Sequence, residues 1–284
     1  MNLDAFVSAA LDEDIGPGDR TTETVIDLNA AGSAYVLAKS DLVVCGQQVA
    51  RKVIEQAARR YDGDVVYAVE HPDGSKVEAG TVIARVKGSL RGIIVGERVA
   101  LNCLMKLSGI ATHVRSWVDA AAGSPVRIVD TRKSTPLWRS LEKYAVRTGG
   151  GHNHRNALYD GVMVKDNHIW ATGSLQEAVR RAREGNHHLI RIEVEARTME
   201  EVEAALQTDA DVILLDNLDD DALRVAIARC REVRPSAILE ASGNIDPERI
   251  ARIKDFGLDV ISAGGLIHQA CWVDLSMKLQ RGTA

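Results

Sequence analysis

The sequence predicts an α/β protein, in which a mixed α/β region precedes a parallel β/α barrel of six strands instead of the usual eight. From Val126 onward, short apolar segments alternate with helical patterns, the texture of a parallel sheet with helical crossovers. Each apolar segment ends in a polar residue or a glycine pair. Ahead of Ser108–Gly109 the texture differs, with strand-like and helical stretches mixed. The strand ends decide between a barrel and an open sheet. An open doubly wound sheet gathers its site at one switch point. Six polar ends point to a shared rim, where a barrel carries its active site.

In the N-terminal region, Ser33–Ala38, Asp64–Ala68 and Thr81–Lys87 read as strands and Val49–Tyr61 as a helix. Gly74 to Gly80, with Pro72 just ahead, is a turn-rich link. Val95–Ala111 reads as a helix starting at Gly96 and Glu97. Val99, Cys103 and Leu107 recur four residues apart, and Ala100, Leu104 and Met105 widen the stripe. His113–Ala122 continues the helical texture.

The barrel strands are predicted at Val126–Asp130, Gly161–Lys165, Ile190–Glu195, Asp211–Asp216, Ala237–Ser242 and Leu258–Ala263. Helical patterns between them include Ser174–Glu184, Met199–Gln207, Asp220–Arg231 and Pro247–Phe256. Pro247 suits a first-turn position, where its missing N–H is no loss. The predicted domains are residues 1–110 and 111–284, with the last residues candidates to return to the first domain.

Composition narrows the function. Aromatic residues make up only 4%, so the core must be aliphatic, as in buried parallel strands. A formal net charge of -5 gives no general reason to bind nucleic acid. No run of about 18 apolar residues is present, so no membrane span is expected. The first residues, MNLDAFVSAALDEDIG, carry acids where a signal peptide needs basic residues, and a cytosolic protein is expected. Cys45, Cys103, Cys230 and Cys271 form no CxxC pair and read as buried small hydrophobes.

The segment Asp130 to His168 is the richest in chemistry. Seven Lys and Arg residues stand against four Asp and Glu, a local positive excess inside an acidic chain. Such a concentration at a rim suggests an anionic substrate. Arg132, Lys133, Arg155 and Lys165 fall at or just after strand ends and read as its ligands, Arg being suited to forked hydrogen bonding with carboxylate or phosphate. Lys143 and Arg147 lie on a helix beginning near Leu137 and read as solvated surface charges. GGGHNHR (Gly149–Arg155) lets backbone approach a ligand closely. Its His152 and His154 make a poor zinc signature and read as hydrogen-bonding partners of an anion. Glu195 and Asp216 end strands on a rim full of cations. They read as ligands of Mg2+ bound with phosphates or as ribose contacts, the alternative being ion pairs with neighbouring Arg and Lys. EASGN (Glu240–Asn244) and SAGG (Ser262–Gly265) each follow a strand, and their small residues suit a phosphate.

These blocks resemble a known family. DTRKSTP, EKYAVRTGGGHNHR, VMVKDNH, EVE, LLDN, EASGN and SAGG follow the order found in the carboxylating nicotinate-nucleotide pyrophosphorylases, or quinolinate phosphoribosyltransferases. EDIGPGDRTT (Glu13–Thr22) and VGERVALNCLMKLSGIAT (Val95–Thr112) are similar to its N-terminal region. The resemblance implies an N-terminal α/β sandwich and an incomplete α/β barrel. It implies a homodimer, sometimes assembled further to a hexamer, in which one subunit's N-terminal domain covers the other's barrel mouth. It implies transfer of phosphoribose from phosphoribosyl pyrophosphate to quinolinate with loss of CO2, supported by Mg2+. On this chain the quinolinate carboxylates would meet Arg132, Lys133, His154, Arg155 and Lys165, with Arg98 reaching in from the partner. Glu195 and Asp216 would hold ribose hydroxyls and Mg2+, and Ser242, Gly243, Gly264 and Gly265 the 5-phosphate. Catalysis would rest on Lys133, Lys165, Glu195 and Asp216.

Three positions depart from the family pattern: Leu137–Trp138 where glycine is usual after TP, Asn244 where SGG is usual, and Gly264–Gly265–Leu266 in place of GAL. Asn tolerates left-handed backbone, which would preserve the loop at Asn244. Two rival functions remain: a barrel enzyme using Lys165 as a Schiff-base lysine, and a non-catalytic anion-binding paralogue of the kind found in molybdate-uptake clusters.

Overall fold

The computed structural model describes residues 2–280, which separate into two compact units. One takes the chain up to Arg115 together with the stretch from Ala270 onward; the other is Ser116–Gln269.

The first unit begins with α1 (Leu3–Ile15), capped by the Asn2 side chain, and α2 (Arg20–Val25), capped by Asp19. Then come β1 (Ala31–Ala38), β2 (Leu42–Val43), α3 (Gln47–Arg59), β3 (Val65–Val69), β4 (Lys76–Val77), β5 (Val82–Ser89) and α4 (Leu90–Ala120). The main sheet pairs β5 with β3 and β1, all antiparallel, and β1 pairs on its far side with a strand at Leu275–Gln280 near the chain's end. Along β1, Ala34, Val36 and Ala38 alternate inward, the period-two pattern of a sheet buried on one face. Helix α3 turns Val49, Val53, Ile54 and Ala57 inward and packs against β3, with α1 on its other side. This is a sandwich of helices on an antiparallel sheet.

Helix α4 corrects the sequence pattern. It starts at Leu90, not near Gly96, and runs unbroken to Ala120, taking in the helical texture that continues from His113. Gly96 read as part of the helix start, with Gly92 outside the helix, and Gly disfavours helix interiors. They lie inside α4 for close packing: a Cβ on Gly92 would come 2.4 Å from the Ala58 Cα, and one on Gly96 2.9 Å from the Ile54 Cδ1. Among the described residues no helix is long and apolar enough to cross a membrane, although α4 has 31 residues.

The second unit continues with β6 (Arg127–Val129), α5 (Arg139–Thr148), β7 (Val162–Val164), α6 (Asp166–Thr172), α7 (Leu175–Glu184) and β8 (Ile192–Ala196). Then follow α8 (Met199–Leu206), β9 (Val212–Asp216), α9 (Asp220–Val233), β10 (Ile238–Ser242), α10 (Pro247–Ile253), β11 (Val260–Ser262) and α11 (Gly265–His268); β12 is the Leu275–Gln280 strand of the first unit. The six strands are all parallel, in the order β6-β11-β10-β9-β8-β7. From β7 to β11 each strand pairs with its successor, and the last pairs with the first. That is a barrel's cyclic order with one seam left open, between β6 and β7. Beside β6, His152 donates to the Ile128 carbonyl at 2.8 Å and accepts from the Asp130 N–H at 3.1 Å.

Side chains cap the returning helices. Ser174, Thr198, Asp219 and Asp246 each accept a backbone N–H in the first turn of α7, α8, α9 and α10. Pro247 takes the first-turn place that its chemistry favours. The core is aliphatic, with Trp117 the largest buried exception.

Candidate active site

Strand periodicity places the chemistry. Residues two apart share a face, so Glu193 and Glu195 on β8, Leu214 and Asp216 on β9, and Glu240 and Ser242 on β10 point to the same side. Register pairing sets Glu195 and Glu240 against Leu214, and Ser242 against Asp216. The upper residues of these sets, with the loops beyond them, line a cavity of about 640 Å³ at the C-terminal ends of the strands. Arg132, Lys133, His154, Arg155 and Lys165 meet there with Glu195, Asp216, Ser242, Gly243, Gly264 and Gly265. Arg98 lies on α4 in the first unit, outside the unit that holds the cavity.

The cation side is built on a buried pair. Lys143 was expected on a solvated face, but its side chain is 2% exposed and bonds Asp130, which is fully buried. Helical spacing alone does not tell which cationic face of α5 turns inward. Lys143 also donates to the His154 carbonyl at 3.0 Å, and Asp130 accepts the His154 N–H at 2.9 Å and the Asn153 amide at 2.6 Å. The two residues clamp the loop that presents His154 and Arg155. Arg147 was assigned to solvent as well and is exposed there, bonding the Asn153 side chain.

His154 has both ring nitrogens engaged. Nδ1 accepts the Arg155 N–H at 2.7 Å, so the ring hydrogen sits on Nε2, 3.1 Å from Glu193 and 3.6 Å from Glu240. Burial opposes charge on this ring, but the Glu193 hydrogen bond and the Glu240 and Glu193 charges outweigh it and raise its pKa. The Arg155 amide acts against a second proton. Burial, with the nearby Glu193 charge, pushes Glu240 up to about 7. The ligand atoms of His154, Glu193 and Glu240 lie within 4.8 Å of one another, a spacing that could suit a metal. A nitrogen that carries its hydrogen toward the carboxylates is not a metal ligand, so the cluster is a hydrogen-bond network beneath the cavity.

Glu195 and Asp216 stand on the rim among cations. Lys165 Nζ lies 3.3 Å from Glu195 Oε2, and the Arg197 guanidinium bonds Glu195 Oε1. Arg197 Nε is 3.5 Å from Asp216, which also accepts the Asn217 amide at 2.8 Å. Both carboxylates are therefore ion-paired here.

The opposite wall is small and tightly fitted. Gly243 has φ 87°, and a Cβ there would come 2.1 Å from Asn217 Oδ1. A Cβ on Gly264 would come 2.5 Å from the Lys133 side chain, so that glycine admits the lysine. Asn244 has φ 51°, the left-handed geometry Asn tolerates. Buried Arg249 donates to the Gly243 carbonyl at 2.7 Å and to Asp220 at 3.0 Å, tying this loop to the one after β9.

One unit thus gathers cations, rim carboxylates and glycine loops around one barrel mouth. Family models agree along most of the chain: the N-terminal domain of quinolinate phosphoribosyl transferase matches residues 19–108, and its C-terminal domain matches residues 110–278.

The chain belongs to the quinolinate phosphoribosyl transferase family.

Relatives agree with that membership. A probable carboxylating nicotinate-nucleotide pyrophosphorylase of a Synechocystis species is 42% identical, over 98% of this chain and 93% of its own length. A Bacillus subtilis protein of the same description is 41% identical, over 94% and 90%. The crystal structure of NadC from Streptococcus pyogenes superposes with a TM-score of 0.91 at 36% identity, covering 98% of this chain and 96% of that one.

Several residues of the site escaped the sequence. Glu193 and Glu240 could have been found, since each lies two residues before a rim residue on the same strand face. Arg197 sits two residues past a rim carboxylate with no periodic signal, and Arg249 lies on a helix face of ordinary composition. Cys271 was expected to be buried and is exposed, while Cys45, Cys103 and Cys230 are buried; none of the four is in a disulfide among the described residues.

Proposed function

We propose that the rim cavity joins quinolinate to phosphoribosyl pyrophosphate, releasing diphosphate and CO2 and leaving nicotinate mononucleotide for NAD biosynthesis. One observation carries this: a single cavity holds a cationic wall, a pair of rim carboxylates and a small-residue wall. Two polyanions need that combination.

The ring nitrogen of quinolinate donates its lone pair to the anomeric carbon as the bond to diphosphate breaks. The ring becomes a pyridinium. The bond to the adjacent carboxylate then breaks, CO2 leaves, and the electron pair stays on the ring carbon beside the cationic nitrogen until a proton reaches it. Holding the reactants in line and screening their repulsion does most of the work. Arg132, Lys133, Arg155 and Lys165 supply charge for the carboxylates. His154 borders that seat and fixes Arg155 through its amide. Ser242, Gly243, Gly264 and Gly265 surround the 5-phosphate, with backbone N–H groups made accessible by the missing side chains.

Glu195 and Asp216 would hold the ribose hydroxyls and Mg2+. Their hard oxygen donors, two carboxylates beside a phosphate seat, suit that ion. Mg2+ would supply charge neutralisation for the departing diphosphate. Arg98 of a second copy of the chain completes the carboxylate seat in a homodimer, which a hexamer would repeat. Leu158, Tyr159 and Trp170, 71%, 78% and 87% exposed, are the apolar surface such an assembly would cover. Four cysteines outside any disulfide among the described residues suit the reducing cytoplasm.

The Schiff-base reading of Lys165 loses its basis. Its side chain is 45% exposed and paired with Glu195, not enclosed in apolar surroundings. The test is turnover with phosphoribosyl pyrophosphate and Mg2+, read by chromatography, with quinolinate and nicotinate in parallel. Product from quinolinate alone is expected. Product from nicotinate alone overturns the reading, and binding without turnover would leave an anion-binding protein.

A further inference from the structure

Arg197 sits where donor and metal must go. Its guanidinium bonds Glu195 Oε1, lies 3.1 Å from Asp166 Oδ2 and reaches Asp216 Oδ2 through Nε at 3.5 Å. It therefore bridges carboxylates from the ends of three neighbouring strands. With Lys165 on Oε2, both oxygens of Glu195 are taken by cations.

Acceptor and donors differ in access. The Glu195 side chain is 6% exposed, whereas those of Arg197 and Lys165 are 46% and 45% exposed. A buried carboxylate needs a compensating charge at all times. An exposed arginine on a long flexible stem can leave if another cation takes its place. The backbone beneath stays fixed. The Arg197 N–H donates to Glu201 at 2.6 Å, and Thr198 caps α8 directly after it. Only the side chain has freedom to swing, and the cavity it would swing across is one it already lines.

We propose that Arg197 is a displaceable counterion. In the ligand-free protein it occupies the carboxylate seat of the donor's metal. When the donor enters, the divalent cation takes over Glu195 and Asp216, and the guanidinium transfers to the diphosphate oxygens, which its planar fork matches. Positive charge thus stays on the carboxylates throughout, and a second cation arrives on the leaving group. The proposal rests on the phosphoribosyl-transfer reading of the same cavity.

The test uses the full-length protein with Arg197→Gln and Arg197→Lys, each checked for an unchanged melting temperature. Mn2+ is titrated without donor and followed by electron paramagnetic resonance, and magnesium diphosphate binding is measured by calorimetry. Removing the competing guanidinium should tighten Mn2+ binding by about tenfold in Arg197→Gln and weaken diphosphate binding by about tenfold, the usual size for one charge-assisted contact. Arg197→Lys should keep part of both effects. KM for phosphoribosyl pyrophosphate should rise in Arg197→Gln while KM for quinolinate holds, which a merely structural role would not produce. Mn2+ and diphosphate affinities within twofold of the wild type in Arg197→Gln overturn the proposal. Both binding measurements stand without turnover, so a wild type that makes no nicotinate mononucleotide condemns the reaction assignment and leaves the arginine exchange to be judged by itself.

Discussion

Glu193 and Glu195 stand on one strand, on one face, two residues and so about 7 Å apart, yet they belong to different kinds of site. Glu193 lies in the barrel floor, bonded to His154, whose other nitrogen is engaged by backbone. Its second oxygen has no hydrogen-bond partner among the described residues. Glu195 lies at the rim, and both its partners reach solvent. In the floor, as in the Asp130–Lys143 clamp beside it, partners are fixed, and losing one strands a charge away from water. At the rim, partners are exchangeable, and losing one is felt by the ligand. One step along a strand face separates stability from recognition.

The largest effect should come from breaking the clamp. Lys143→Met leaves Asp130 buried without its cation and should cost about 3–5 kcal/mol in urea unfolding. The double variant with Asp130→Asn should recover part of that loss; a single variant as stable as the wild type would remove the clamp from the comparison. At the rim, Arg132→Ala should lower kcat/KM for quinolinate about a hundredfold, near 2.7 kcal/mol of transition-state stabilisation, while the unfolding midpoint barely moves. A matching fall in stability would show that rim and floor are not separable.

A pH series sharpens the floor. A carboxyl whose folded pKa lies above its unfolded value binds its proton more tightly when folded, so its contribution to stability falls as pH rises between the two. For Glu240 that window runs from about 4.5 to about 7. Glu240→Gln should therefore gain about 3 kcal/mol over the wild type at pH 8.5 and under about 1 kcal/mol at pH 5, the size expected for a window of that width. Equal effects at both pH values would mean that Glu240 stays charged in the fold.

The smallest effect is at Leu137, 75% exposed with φ 68° on the loop that follows Lys133. Glycine relieves the left-handed strain but loosens the unfolded chain. Leu137→Gly should raise stability by about 0.5 kcal/mol, the difference of those terms. A lower melting temperature would show that Leu137 makes contacts worth more than its strain.

The rim was legible in the sequence because strand ends in a barrel converge whatever the loops do. Val126–Asp130 and four of its five successors each contain the strand observed, and Ile190–Glu195 stops one residue short of the end of β8. The floor was not, although IRIEVE displays Glu193 beside Glu195. Attention to strand ends passes over residues one step deeper, whose meaning depends on what faces them across the barrel. Lys143 was misread because burial of an amine depends on a partner carboxylate thirteen residues away on another element. The helices at Leu3–Ile15 and Arg20–Val25 went unassigned in the acidic N-terminal stretch. The strand at Leu275–Gln280 escaped because its pairing partner, β1, lies more than two hundred residues earlier.

That last pairing bears on how the protein is made. A ribosome delivers chains from the N-terminus at roughly 5–20 residues per second. When β1 emerges, one of its edges finds β5 soon afterwards, but the strand that covers the other edge is translated only after the whole barrel. For roughly ten seconds or more the nascent sheet carries an open edge, the kind of template that pairs with other chains. Until Leu275–Gln280 arrives, the sheet around β1 is still waiting for the strand that covers its edge.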